Sequence, residues 1–226
     1  MKEKILGTIE KYEMFKPGDK VLIALSGGKD SLALVHMLGE LRDEGRIAVS
    51  LGAVNVSTDA VCGVGIFQDL LRGFCSDRNI PVDRIYFPII EDAGEQLSCF
   101  YCAMRRRAAM FEYASKRGYS VLAFGHHLDD MAETVIMNMV FNGNISTMSP
   151  TVEIFDGELR LVRPLADVRE YETAALVQEL KLQTAVCSCP FSSMNIRGTI
   201  KEYLTDREGE IAGVRENIVN AISQLA

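Results

Sequence analysis

The residues best suited to chemistry in this 226-residue chain form three groups. The first is Ser26-Gly27-Gly28-Lys29-Asp30-Ser31, between the apolar run Val21 to Leu25 and a stretch where Leu32, Val35, Leu38 and Leu41 recur at helical spacing. Two glycines let the backbone turn sharply and approach a ligand closely. The N–H groups opening the following helix then favour an anion, and Lys29, Ser26 and Ser31 add a positive charge and two hydroxyls. That is the composition of a phosphate cradle, at neither the spacing of a Walker loop nor that of a dinucleotide fingerprint. The second group, Asp129, Asp130 and Glu133 in "GHHLDDMAET", falls within one helical turn and suits a magnesium ion beside a polyphosphate. Capping of a helix N-terminus explains one of the two aspartates equally well. His126 and His127 lack the spacing of a helical metal pair and read as nucleotide or loop contacts.

The third group is cysteine. Cys99 and Cys102 form a CxxC in "SCFYCAMRRR", and Cys187 and Cys189 a CxC in "VCSCPF". Cys75, four residues after Leu71, reads as a small core residue, and Cys62 receives no role. The amphipathic start has no signal-peptide core, and no apolar run reaches the roughly 20 residues of a membrane span, so a cytoplasmic location is expected. Structural disulfides are not expected there, which leaves a metal, a redox couple or catalysis to account for the four thiols. A net charge of −7 does not mark the chain as a nucleic-acid binder. Arg105, Arg106 and Arg107 are the strongest local basic patch; Arg160, Arg163 and Arg169 read as solvated surface charges.

These groups need elements to position them. Strands are expected at Val21 to Leu25, Ile47 to Ser57, around Ile85 in "RIYFPI", and in "YSVLAFG" ending at Gly125. Helices are expected between them: one sharing the face Ile66, Leu70 and Phe74, then Phe100 to Lys116, and Asp129 to Phe141 after the fourth strand. Such alternation predicts an α/β fold, a parallel sheet with helices on both faces, and a site beyond the carboxyl ends of the strands. "TVEIFDGELRLVRPL" predicts a hairpin turning at Asp156-Gly157. A helix from Glu170 to Lys181, an extended "QTAVC" and a helical tail over 195–226 complete the chain. With a short first helix over 1–16, residues 1–226 read as one domain.

The string "SGGKDS" resembles the PP-loop of the ATP pyrophosphatase superfamily, whose Rossmann-like members cleave ATP between the α- and β-phosphates and activate a carbonyl as an adenylate. Together with "SCFYCAMRRR", "GHHLDD", "RPL" at Arg163 to Leu165, and a late cysteine before "NIRGTIKEYL", the chain is similar to the TtcA-like (tRNA 2-thiocytidine biosynthesis) family over about residues 1 to 205. The resemblance implies ATP contacts at Ser26, Gly27, Gly28, Lys29, Asp30, Ser31, Val54, Gly125 and His126. It implies catalytic roles for Asp30, Arg106 and Asp129, the last at ATP or Mg²⁺. It further implies a [4Fe-4S] cluster on Cys99, Cys102 and Cys189, with one iron open to carry sulfide. The family has CxxC where this chain has CxC, and Cys187 is given no role. The implied reaction is adenylation of a nucleobase carbonyl in tRNA, with AMP and pyrophosphate as products, followed by replacement of oxygen by sulfur from sulfide or a donor protein. A homodimer is compatible with it.

Thiolates suit zinc as well as iron–sulfur, so a structural Cys₄ zinc site and a pair of persulfide-carrying thiols remain alternatives. Two other functions fit the cradle: a ligase or amidating enzyme with zinc in the cysteine site, and a non-catalytic ATP sensor.

Overall fold

Successive side chains of the central strands point to opposite faces of the sheet, and this sorts the core into two layers. The computed structural model describes residues 1–59, 68–90, 98–185 and 196–224. Val21, Ile23 and Leu25 pack with Leu32, Val35 and Leu38 on one side of the sheet, while Leu22 packs with Val54, Ala114 and Leu122 on the other. Strands covered on both faces read as continuous apolar runs, as these do.

The elements in order are α1 (Lys2–Lys11), β1 (Lys20–Ala24), α2 (Lys29–Asp43), β2 (Ser50–Thr58), α3 (Gln68–Ser76) and β3 (Val82–Phe87). There follow α4 (Cys99–Arg117), β4 (Val121–Ala123), α5 (Leu128–Met137), β5 (Thr151–Ile154), β6 (Leu159–Val162), α6 (Glu170–Glu179), α7 (Ile196–Glu210) and α8 (Val214–Ser223). The six strands lie in the order β3-β2-β1-β4-β6-β5. All neighbours are parallel except β5, which runs antiparallel to β6 at the edge. Val21 sits opposite both Leu51 and Val121, so β1 is central and its carboxyl end opens between two parallel neighbours.

Several expected boundaries move. The first helix stops at Lys11, because Glu13 takes a positive φ of 47° and Met14 folds back to bond the Ile9 carbonyl. The hairpin loop spans residues 155–158, with Phe155, Asp156 and Gly157 all at positive φ. The helix expected to reach Phe141 is α-helical to Met137 and continues as one π-turn, Asn138–Asn142. The C-terminal tail is two helices, broken where Gly213 takes φ 75°. Ile200 and Leu204 of α7 pack with Ala132 of α5 in a third apolar cluster, which docks the tail on the helix after β4. Among the described residues no helix is long and apolar enough to cross a membrane.

Candidate active site

The chain leaves β1 at Ala24 and turns through Ser26 and Gly27 into α2. Gly27 has φ 83°, a conformation that disfavours any side chain, and a Cβ there would meet the Ala185 Cβ at 3.2 Å. Gly28 is the N-cap of α2 and offers no side-chain acceptor, so the first-turn N–H groups are left for a ligand. The loop braces itself: Gly28 N donates to Ser26 Oγ at 3.2 Å, Ser26 Oγ to Ser31 Oγ at 3.1 Å, and Ser31 Oγ to the Gly28 carbonyl at 2.9 Å.

Beside this loop lies a cleft of about 270 Å³. Ser26, Gly28, Asp30, Ser31, Val54, Arg106, Gly125 and His126 all line it, so eight of the expected contacts meet at one place. Gly125 is required by a close approach: a Cβ there would lie 3.1 Å from the backbone C of Asp30 and N of Ser31. Arg106 reaches the cleft from α4, with its Nε and Nη2 buried and without protein acceptors. A buried guanidinium in that condition fits a site completed by an anion.

Lys29 is in the loop but not on the cleft wall. Its ammonium lies 2.8 Å from Asp30 and 3.0 Å from Glu170, and Lys201 also binds Glu170 at 2.6 Å. Burial opposes ionisation of Glu170, but the hydrogen bonds from Lys201 and Lys29 outweigh it and take the carboxyl down to about 2. Thr173 Oγ1 donates to Asp30 at 2.5 Å, so α6 grips both charged residues of the cradle.

Asp129 lies off the wall of the cleft. It is 4% exposed and turned into a different network: its carboxylate accepts from the Glu170 N–H at 2.8 Å and lies 3.3 Å from Arg169 and 3.1 Å from Arg215. Three partners occupy it, and its neighbour Asp130 lines the cleft instead. Capping accounts for one of the two aspartates: His127 is the N-cap, its Nδ1 accepting from Asp130 N, and Asp130 closes the capping box by accepting the His127 N–H. Burial, and then Asp130, push the Glu133 carboxyl upward, partly offset by Arg197 at 3.3 Å.

His126 stacks on Phe124 at 5.6 Å, and its Nδ1 is buried without a partner. Burial lowers the imidazole to about 4; Asp130 opposes this, while Arg163, Arg107 and Arg197 reinforce it. It is therefore neutral at pH 7, able to donate from one nitrogen and accept at the other. Arg163 is 8% exposed, and Arg160 and Arg169 are held by Asp19 and by the Asp129 network, so none of the three is a solvated surface charge.

Cys99 and Cys102 occupy the first turn of α4, whose cap is Ser98 accepting the Tyr101 N–H at 3.1 Å. Spacings of three and four put Cys99, Cys102, Arg106 and Met110 on one stripe, and the last two line the cleft. Two thiols one turn apart on that stripe fit two ligands of a thiolate-bound metal centre. Cys62, Cys187 and Cys189 lie outside the described residues. Cys75 is fully buried, and burial pushes its thiol up to about 11, as suits a core residue.

The residues missed in sequence, Glu170, Thr173, Lys201 and Arg215, are far along the chain from their partners. No local pattern marks them.

Fold and site together define a nucleotide-binding α/β protein with an anion cradle at the carboxyl edge of its sheet. The chain belongs to the PP-loop family, whose PP-loop domain matches residues 1–186. It is 31% identical over 223 residues to a tRNA-cytidine(32) 2-sulfurtransferase of Verminephrobacter eiseniae, covering 96% of this chain and 70% of the relative. The enzyme of the same name from Coxiella burnetii is 31% identical over 221 residues, covering 95% and 85%. Among solved structures, the U34-tRNA thiolase NcsA from Methanococcus maripaludis with its [4Fe-4S] cluster superposes with a TM-score of 0.84. It is 24% identical, covering 99% of this chain and 77% of that one.

Proposed function

We propose that this protein is an ATP-dependent tRNA thiolase that adenylates a nucleobase carbonyl and exchanges its oxygen for sulfur. The observation that carries this is the single stripe of α4: Arg106, its Nε and Nη2 lacking acceptors, faces the cradle's cleft, and Cys99 and Cys102 stand two turns and one turn before it. One helix thus links a phosphate site to a thiolate site.

The cradle N–H groups, Ser26 and Ser31 bind and orient the ATP phosphates. Lys29 exchanges Glu170 for a phosphate oxygen, and Arg106 donates to the charge that develops as the α–β bond breaks. The nucleobase oxygen attacks the α-phosphorus and pyrophosphate leaves; sulfide then forms the C–S bond as the C–O bond to AMP breaks. Asp30 and Asp130, the two carboxylates lining the cleft, are assigned to Mg²⁺. Cys99, Cys102 and Cys189 are assigned to a [4Fe-4S] cluster, which when bound supplies an iron for sulfide. The reading makes residues 1–226 one domain acting in the cytoplasm, with sulfide or a donor protein as the sulfur source.

The test incubates anaerobically purified protein with ATP, sulfide and bulk tRNA, then digests the tRNA and assays thiolated nucleosides, AMP and pyrophosphate. Thiolated nucleoside with stoichiometric AMP is expected, and Lys29→Met should lower its rate about 100-fold or more, given the size of transition-state charge stabilisation. ADP and phosphate as products, or turnover on an amine without sulfide, would overturn the reading.

A further inference from the structure

A second stripe of α4, turned about 100–160° from Arg106, carries Phe100, Met104, Arg107 and Phe111. Phe100 is 80% exposed and Met104 46%, unusual for large apolar side chains beside a candidate reaction centre. Arg107 is exposed. Phe111 meets Phe155, from the tip of the β5–β6 hairpin, edge-on at 5.9 Å, and Phe155 is itself 56% exposed. The two rings line a groove of about 650 Å³. Of the two carboxylates lining it, Glu112 is paired with Lys116, leaving Glu158.

Interleaved exposed aromatics and cations are what unpaired nucleic acid requires: rings for the bases and charge for the phosphates. The charge is present in an otherwise acidic chain. It comes from Arg107, the exposed cation of this stripe. The other exposed apolar run, Met139, Val140, Phe141 and Ile145, has no basic residue between 137 and 150. It offers nothing to a phosphate.

We infer that the Phe100–Met104–Arg107 stripe, continued by Phe111 and Phe155, is the surface on which an unpaired RNA loop stacks to present its base to the cleft. This rests on the proposed function and adds the contact residues. Phe100 lies between the two cysteines, so a base stacked there is held at the thiolate end of α4, roughly 9 Å along the axis from Arg106.

The test measures binding of a labelled RNA stem–loop, and of a fully paired duplex, to the holo-protein and to Phe100→Ala, Phe100→Tyr, Phe155→Ala and Arg107→Gln. Iron content and ATP binding are followed as controls, and Phe155 lies on a different element from the cysteines. Phe100→Ala should weaken stem–loop binding roughly 5- to 100-fold, the range of one lost base–aromatic stack, with little change for the duplex. Phe100→Tyr should restore it, and Arg107→Gln should lower the salt dependence by about one phosphate contact. Wild type that binds and thiolates RNA, with both Phe→Ala variants binding within about twofold of it, overturns the inference and leaves the function standing. Loss of self-association in those variants at unchanged RNA affinity overturns it in favour of a second copy on this face. Wild type that binds no RNA overturns the inference and the functional reading together.

Discussion

At the scale of single residues, the site is defined by groups held in costly states. Arg106 is half-buried with its Nε and Nη2 shut off from water and without acceptors, and His126 is half-buried with its Nδ1 in the same condition. His126 gives a stability prediction with a definite sign. Its folded pKa of about 4 lies below the ordinary 6.5, so between those values the unfolded chain binds a proton that the folded one refuses. Stability therefore falls as pH drops from 6.5 to 4 and is flat in this respect outside that window. At about 1.4 kcal/mol per pH unit, the loss approaches 3 kcal/mol. Glu170 acts in a lower window: its depressed carboxyl contributes stability above about 4.5 that is lost as pH falls toward 2. Urea denaturation at intervals from pH 7 to pH 4 should show the first slope in wild type and its flattening in His126→Asn. An unchanged slope in that variant would mean that another group carries it.

At the scale of elements, the decisive feature is how closely β4 delivers Gly125 to the start of α2. Gly125→Ala places a methyl 3.1 Å from the backbone of Asp30 and Ser31, where no side-chain rotation can relieve it. The loop must shift by a few tenths of an ångström, and cradle N–H groups lose their alignment on phosphate. ATP affinity should fall by about tenfold or more, one broken charge-assisted hydrogen bond being worth roughly 1.5–3 kcal/mol, while the far-ultraviolet spectrum is unchanged. Isothermal titration with ATP decides it; wild-type affinity would show that the loop yields freely. This approach was legible in sequence only as adjacency: both motifs fall at strand ends, and a parallel sheet brings such ends together. The cradle and the hairpin could be read because each depends on local spacing, whereas Arg106 was singled out by the family resemblance. Which of the two adjacent aspartates lines the cleft was not legible, because the two look alike in sequence. Which one turns inward was decided by Arg169 and Arg215, 40 and 86 residues further on.

At the scale of the whole molecule, the tail beyond the family match is bolted to the cradle by charge. Asp129 on α5 is shared by Arg169 before α6 and Arg215 on α8, and both arginines also bind Glu208 on α7. Arg169 further pairs with Glu216 at 2.8 Å. Asp129 and Arg215 are each 4% exposed, so removing one partner strands the other in a poor solvent. The Nε of Arg215 is within pairing distance of Asp129 but not aligned for a hydrogen bond, and Arg169 stays beside Asp129 when Arg215 is lost. The cost of Arg215→Met should therefore fall at the lower end of the usual range, about 3 kcal/mol, with Asp129→Asn similar. The double variant leaves neither charge stranded and should cost less than the sum of the singles by about 1 kcal/mol or more. Because Asp129 also holds the Glu170 N–H, and so the start of the helix whose Thr173 holds Asp30 of the cradle, these variants should weaken ATP binding although none of the altered atoms lines the cleft. Denaturant unfolding read by fluorescence and circular dichroism, alongside ATP titration, tests both halves. Coincident transitions with sub-additive losses are expected. Additive losses, or a tail that melts in a separate earlier transition at unchanged ATP affinity, would show that α7 and α8 are appended to the nucleotide site and not coupled to it.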